Sequence, residues 1–460
     1  MIVALTASGT GEPDVRITES QPADLVGETE LEPGFSVEID LAAPERWHSV
    51  TVRSWDDVDP ALADAVLGAD AVRRISANRP ADRLPLEVAP EGPWQRIAVI
   101  DALDKWLQLP LNQALLNAER AVARARAARS LRRGPSREML TEHAMVLARR
   151  SSDELARCLA ELSDSAASLP RALFSGLSRL TNGYATLARE VDGPDQAFAS
   201  VAEAWVKLKA AVRVAGSSRL ADSSASYEVD HFGELALSSA VDPRQVRARI
   251  VDTDLRGPEI RLVMTPEKSA VRAMVPAYGP YPPSAVHADR LMIRLVDSRS
   301  GTAYEPVLLT LKSGREAERL GARTPVFTEM VPLRGARLED LRADVFDPES
   351  EAPPAWTDTD DDLLRRRRAQ FVLGEWRRVA AEARLSRGLK LRNRRLARMV
   401  DVLLETLPDA GTPAFAGGPS PADVARLIET GTLGSSQWFA STRGAGEPLV
   451  AELAAAYSGR

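Results

Sequence analysis

Apolar and polar positions alternate in the first part of the chain. Phe35, Val37, Ile39 and Leu41 interleave with Ser36, Glu38 and Asp40 at the two-residue period of a half-buried strand, and Val50 and Val52 repeat the pattern within 48–55. The segment 42–46, with Pro44 in it, reads as a hairpin connection, and Asp59-Pro60 opens a helix predicted to run to about Ala77. From Pro93 to about Ala215 the period becomes helical, with prolines at or near several starts (Pro93, Pro110, Pro135, Pro170, Pro194), which predicts five or six helices. Leu173, Leu177, Leu180, Tyr184, Leu187 and Val191 recur at 4-3-4-3-4 spacing, and Phe198, Val201, Trp205, Leu208 and Val212 at 3-4-3-4. A heptad seam on both sides of Asp192-Gly193-Pro194 predicts an antiparallel, coiled-coil-like hairpin over 170–215. Leu140, Leu147, Leu155, Cys158, Leu159 and Leu162 supply the same bundle core.

Alternation then returns in Val246, Ala248 and Ile250, in Ile260, Leu262 and Met264, in Val271, Ala273 and Val275, in Leu291, Ile293 and Leu295, and in Val307, Leu309 and Leu311. With a further run over 325–332, these predict about six short strands of a sandwich or barrel. The expected architecture is an α+β multidomain protein: an acidic β/α N-terminal domain (1–92), a helical bundle with an antiparallel coiled-coil hairpin (93–215), a Ser-rich linker (216–240), a β-sandwich-like domain (241–343), an acidic linker (344–362) and a basic C-terminal helical domain (363–460).

A length of 460 residues fits several cores rather than one. The lone cysteine, Cys158, excludes an intramolecular disulfide and any zinc site built from paired thiolates, which points to a reducing compartment. The start, Met1 to Gly9, lacks the basic stretch and apolar run of a secretory signal, and no run approaches the ~18 apolar residues that span a bilayer, so the expected location is cytoplasmic with no membrane partner. Lys is confined to Lys105, Lys207, Lys209, Lys268, Lys312 and Lys390, and the preponderance of Arg suggests a high-GC bacterial genome. The net charge of −6 conceals an asymmetry. Residues 1–70 are strongly acidic, whereas in 365–398 a dense set of Arg faces only Glu375 and Glu382.

The histidines, His48, His143, His231 and His287, lie one per segment, so no metal motif and no cofactor is expected. Asp358 to Asp362 imitates the start of a calcium loop but has Leu363 where the turn needs Gly and Ala369 where it needs Glu. Ser8-Gly9-Thr10-Gly11 lacks the Lys-Ser/Thr pair of a phosphate loop, and Asp230-His231 are neighbours that a strand would point to opposite faces.

Arg137 and His143 stand at Arg-x5-His spacing at the start of a predicted helix. Over these seven residues the chain resembles the HEPN family of helical-bundle ribonucleases. The family's commoner form has a spacing of four and a polar residue after the Arg, where this chain has Glu138. The resemblance implies a metal-independent ribonuclease, a toxin or defence effector, with Arg137 and His143 acting on the scissile phosphate.

Arg365, Arg366, Arg367, Arg368, Arg377 and Arg378 cluster on a helix whose apolar stripe is Val372, Trp376, Val379 and Ala383. They are the candidate face for a polyanion or an acidic partner, with solvation or internal pairing as the alternative use of the same charge. The expected function is a non-enzymatic interaction or scaffold subunit of a cytoplasmic bacterial complex, with a protein partner or self-association. The alternatives are the HEPN-like ribonuclease and nucleic-acid binding through 365–398.

Overall fold

A computed structural model describes residues 2–5, 15–18, 25–41, 47–77, 84–85, 92–107, most of 111–190, 195–215, 238–239, most of 241–349, helical positions between 366 and 385, and 448–458. The chain is an α+β protein that divides into two compact units. One comprises residues 1–104, 111–225 and 375–460, the other residues 105–110 and 226–374.

The first unit begins with a six-stranded antiparallel sheet in the order β3-β4-β5-β2-β1-β6. Its strands are β1 (Ile2–Leu5), β2 (Val15–Thr18), β3 (Val26–Glu32), β4 (Phe35–Asp40), β5 (Trp47–Val52) and β6 (Leu84–Pro85). The predicted alternation is realised in β4, where Phe35, Val37 and Ile39 are buried and Ser36, Glu38 and Asp40 are half-buried. β3 carried no hydrophobic signal because its inward positions include Gly27 and Thr29. A Cβ on Gly27 would lie 2.2 Å from the Cβ of Ala102, so only glycine lets the sheet approach this helix so closely. Beside it, Thr29 Oγ1 donates to Asp101 at 3.1 Å.

Asp59 caps helix α1 (Pro60–Leu67) by accepting from Ala61 N at 2.8 Å. The helix expected to continue to Ala77 is broken at Gly68, whose φ of 87° ends one helix before α2 (Ala69–Ala77) starts. Five further helices form the bundle: α3 (Gly92–Trp106), α4 (Gln113–Ser130), α5 (Pro135–Asp164), α6 (Arg171–Ala188) and α7 (Gln196–Ala215). α4 is Ala-rich and buried on most of its circumference, packing on α5, on α6 and on the C-terminal helix Val450–Ser458.

The heptad positions of α6 and α7 are buried as far as Leu187 and from Phe198 to Leu208. Phe174 stacks on Trp205 at 5.2 Å and Tyr184 meets Phe198 at 5.8 Å, so the two helices run antiparallel where they touch. The principal neighbour of α7, however, is α5. Periodicity showed which positions are buried without showing which helix buries them.

In the second unit a five-stranded antiparallel sheet has the order β12-β13-β9-β8-β7 and a three-stranded one the order β11-β10-β14. The strands are β7 (Ser238–Ser239), β8 (Ile260–Met264), β9 (Ala270–Pro276), β10 (Met292–Asp297), β11 (Val307–Leu308), β12 (Thr310–Lys312), β13 (Val326–Pro332) and β14 (Leu341–Phe346). Inward residues of both sheets, Leu262, Val275 and Phe327 from one and Ile293, Leu295 and Val345 from the other, share one core. The chain passes from the smaller sheet to the larger through Leu309, whose N–H donates to Leu291 O at 2.8 Å.

Three sequence expectations change here. Val246 and Ile250 enter this core from turns rather than from a strand. Ser238 and Ser239, read as linker, pair with β8. Asp344 and Asp347, read as linker acids, are buried, and Asp344 lies within β14.

Candidate interaction surface

Charged groups in the described interior are matched to one another. On α3 and α4, Arg120 donates to Asp101 at 2.6 Å and to Asp104 at 2.9 Å, while Arg96 pairs with Glu119 at 3.1 Å. Burial pushes the Glu119 carboxyl above its ordinary range even though Arg96 and the N–H groups of Val450 and Ala451 pull it down. Glu119 also accepts from Ala451 N at 3.3 Å, so α4 holds the first turn of the C-terminal helix. Burial likewise lifts the thiol of Cys158 to about 11, with Glu161 and Glu154 adding to it, which keeps it a protonated, unreactive core group at neutral pH.

The candidate arginines of the C-terminal region divide. Arg377 is buried and grips Glu452 with two parallel bonds of 2.7 and 2.5 Å. Arg366 is buried and reaches Asp242 at 3.3 Å, beside Arg244, which closes on the same carboxylate at 2.8 Å. Among the described residues, the carboxylates these two meet are Glu452 and Asp242. Arg378 is exposed, and Arg365, Arg367 and Arg368 lie outside the described residues.

Arg137 is half-buried at the start of α5 and donates to Leu131 O at 3.5 Å, and His143 is exposed further along the same helix. Six residues on a helix turn the side chains about 120° apart, so α5 alone does not aim the two at one point. His48 sits on β5, while His231, His287, Asp230, the Ser8–Gly11 loop and Asp358–Asp362 lie outside the described residues. Among the described residues no group of three His, Cys, Asp or Glu could hold a metal ion, and no helix is long and apolar enough to cross a membrane.

A different feature emerges on the outer face of the five-stranded sheet. Register sets Val263 of β8 opposite Arg272 of β9, and Arg272 opposite Met330 of β13. Val263 (48% exposed), Arg272 and Met330 (37%) thus share one row across the sheet, and Leu308 (49%) is exposed on β11 of the smaller sheet, which adjoins β13. The other exposed large aliphatic residues of the described chain, Val146, Val206 and Val214, are on α5 and α7.

Within and beside this row stand two exposed arginines, Arg272 and Arg261, and neither makes a hydrogen bond or ion pair among the described residues. Their behaviour contrasts with Arg294 on the neighbouring sheet, which bonds Asp344 at 2.9 Å and lies 4.3 Å from the Phe346 ring. Covering the three aliphatic side chains would contribute about 2–3 kcal/mol before the cost of association. Sequence reasoning missed the row because its members lie on three strands. The available signal was local: in β8, Val263 is apolar at a position whose parity faces outward. No family model matches this chain, and no curated protein and no solved structure matches it either.

Proposed function

We propose that the chain is a non-enzymatic interaction or scaffold subunit of a cytoplasmic bacterial complex. In this reading the two sheets of the second unit serve as a sandwich-like presenting domain, and the antiparallel hairpin of α6 and α7 is part of the frame that holds the first unit together. The observation that supports it most directly is the outward row of Val263, Arg272 and Met330, with Leu308 exposed on the adjoining β11, since aliphatic groups beside guanidinium groups unengaged among the described residues are suited to protein contact.

The test uses the tagged full chain and a Val263→Asp/Met330→Asp variant, checked for unchanged thermal unfolding. Proteins bound stoichiometrically by the wild type and lost from the variant support the reading. An identical set on both, or none on either from a chain that is also monomeric, overturns it. Incubation with RNA separates the alternatives: cleavage by the wild type that disappears in His143→Ala would replace the reading with a ribonuclease. Nucleic-acid binding that weakens steeply with salt would replace it with binding through 365–398.

A further inference from the structure

We infer that the occupant of the Met330–Arg272–Val263 row is a second copy of this chain, presenting the outer face of its N-terminal sheet. The inference rests on the interaction reading and names the partner. Arg272 lies inside the row and Arg261 two residues from Val263 along β8 on the same face, so the surface offers aliphatic contact with two cations embedded in it. Two such rows apposed about a twofold axis would bring like charges together, which disfavours a symmetric pair. The complement has to be acidic.

The N-terminal sheet offers such a face. On the outward side of β3 and β4, Glu28 and Glu30 stand beside Glu38 and Asp40, and register sets Glu28 directly opposite Glu38. Like charges at directly opposed positions of an antiparallel pair destabilise the sheet. Ser49 Oγ bonds Glu38 at 2.5 Å, but Glu28 has no hydrogen bond or ion pair among the described residues. Beside the carboxylates on this face Ser36 and Thr51 are small and leave room for protruding aliphatic side chains, and its one exposed arginine among the described strands, Arg16, lies opposite Thr51, two strands from β4. An arriving pair of guanidinium groups relieves the Glu28–Glu38 opposition, and the carboxylates supply what Arg261 and Arg272 lack. Because the two surfaces differ, the contact is head to tail and each copy can engage two others, giving rings or filaments rather than a closed twofold dimer.

Sedimentation velocity of the purified full chain, from about 1 to about 100 μM, tests this. The wild type should sediment faster as concentration rises, and more weakly so in high salt. Arg272→Glu alone, and Glu28→Arg/Glu38→Arg alone, should each weaken association at least about tenfold. Mixing these two variants should restore association, since each then supplies the complement of the other. A wild type that stays monomeric throughout overturns the inference, as does a mixture no more associated than its components. If the wild type is monomeric while other proteins still bind it through Val263 and Met330, self-association falls and the interaction reading stands. If neither occurs, both fall.

Discussion

The interface between α3 and α4 and the outer face of the five-stranded sheet use the same residue types to opposite ends. On the helices, Arg120 closes on Asp101 and Asp104, and Arg96 on Glu119, so charge becomes part of the packing. On the sheet, Arg272 and Arg261 stand beside Val263 and Met330 without carboxylate partners among the described residues. Composition does not separate the two, because both regions are simply rich in arginine. What separates them is whether the fold brings an acid to the same depth, and that determines whether a guanidinium holds the chain together or faces outward for something else.

The contrast can be broken most forcefully in the interior. Glu452→Ala leaves Arg377 buried without its carboxylate and should cost about 3–5 kcal/mol in urea unfolding, whereas Arg377→Met/Glu452→Leu should recover most of that loss. Gly27→Ala places a methyl group against Ala102 and should cost about 1–3 kcal/mol, measured the same way. Within the second unit, Arg294→Ala should destabilise by about 1.5–3 kcal/mol because buried Asp344 loses its partner, while Arg272→Ala should stay within about 0.5 kcal/mol of the wild type.

The smallest effect sharpens the comparison through pH. The folded-state pKa of Glu119 lies above its unfolded value, so between the two the folded chain holds more proton than the unfolded one, and stability falls as pH rises through that window. Melting temperatures from pH 4 to 7 should therefore decline for the wild type relative to Glu119→Gln as pH increases. A difference that is flat, or that grows in the wild type's favour, contradicts the environment described for this carboxylate.

Much of the fold was legible wherever burial is recorded by side-chain type. β4, β8, β9 and β10 alternate because one face of each meets a core, and the five helices from α3 to α7 follow from the change of period. The exceptions have specific causes. β3 hides because close approach of α3 requires Gly27 where a strand would ordinarily carry a large apolar residue. β14 alternates too, Leu341, Ala343 and Val345 against Arg342 and Asp344, but Asp344 reads as the first of the linker acids because its neutralising partner Arg294 is fifty positions away in sequence, joined to it only by register. The basic region drew attention as a surface, yet Arg366 and Arg377 are internal, since their acids lie at Asp242 and Glu452, far along the chain. The aliphatic row was not legible at all, being a property of register across strands rather than of any one segment.

The helix Val450–Ser458 docks on α4 and α6, and its first turn is held by Glu119, with Arg377 clamped to Glu452. During synthesis, then, α4 waits for its last partner while more than three hundred further residues emerge, leaving the Glu119 carboxylate and its apolar surroundings open to solvent and to chaperones. Ribosome-bound nascent chains stalled before this helix should be cut by protease within α4, and those released after it should resist.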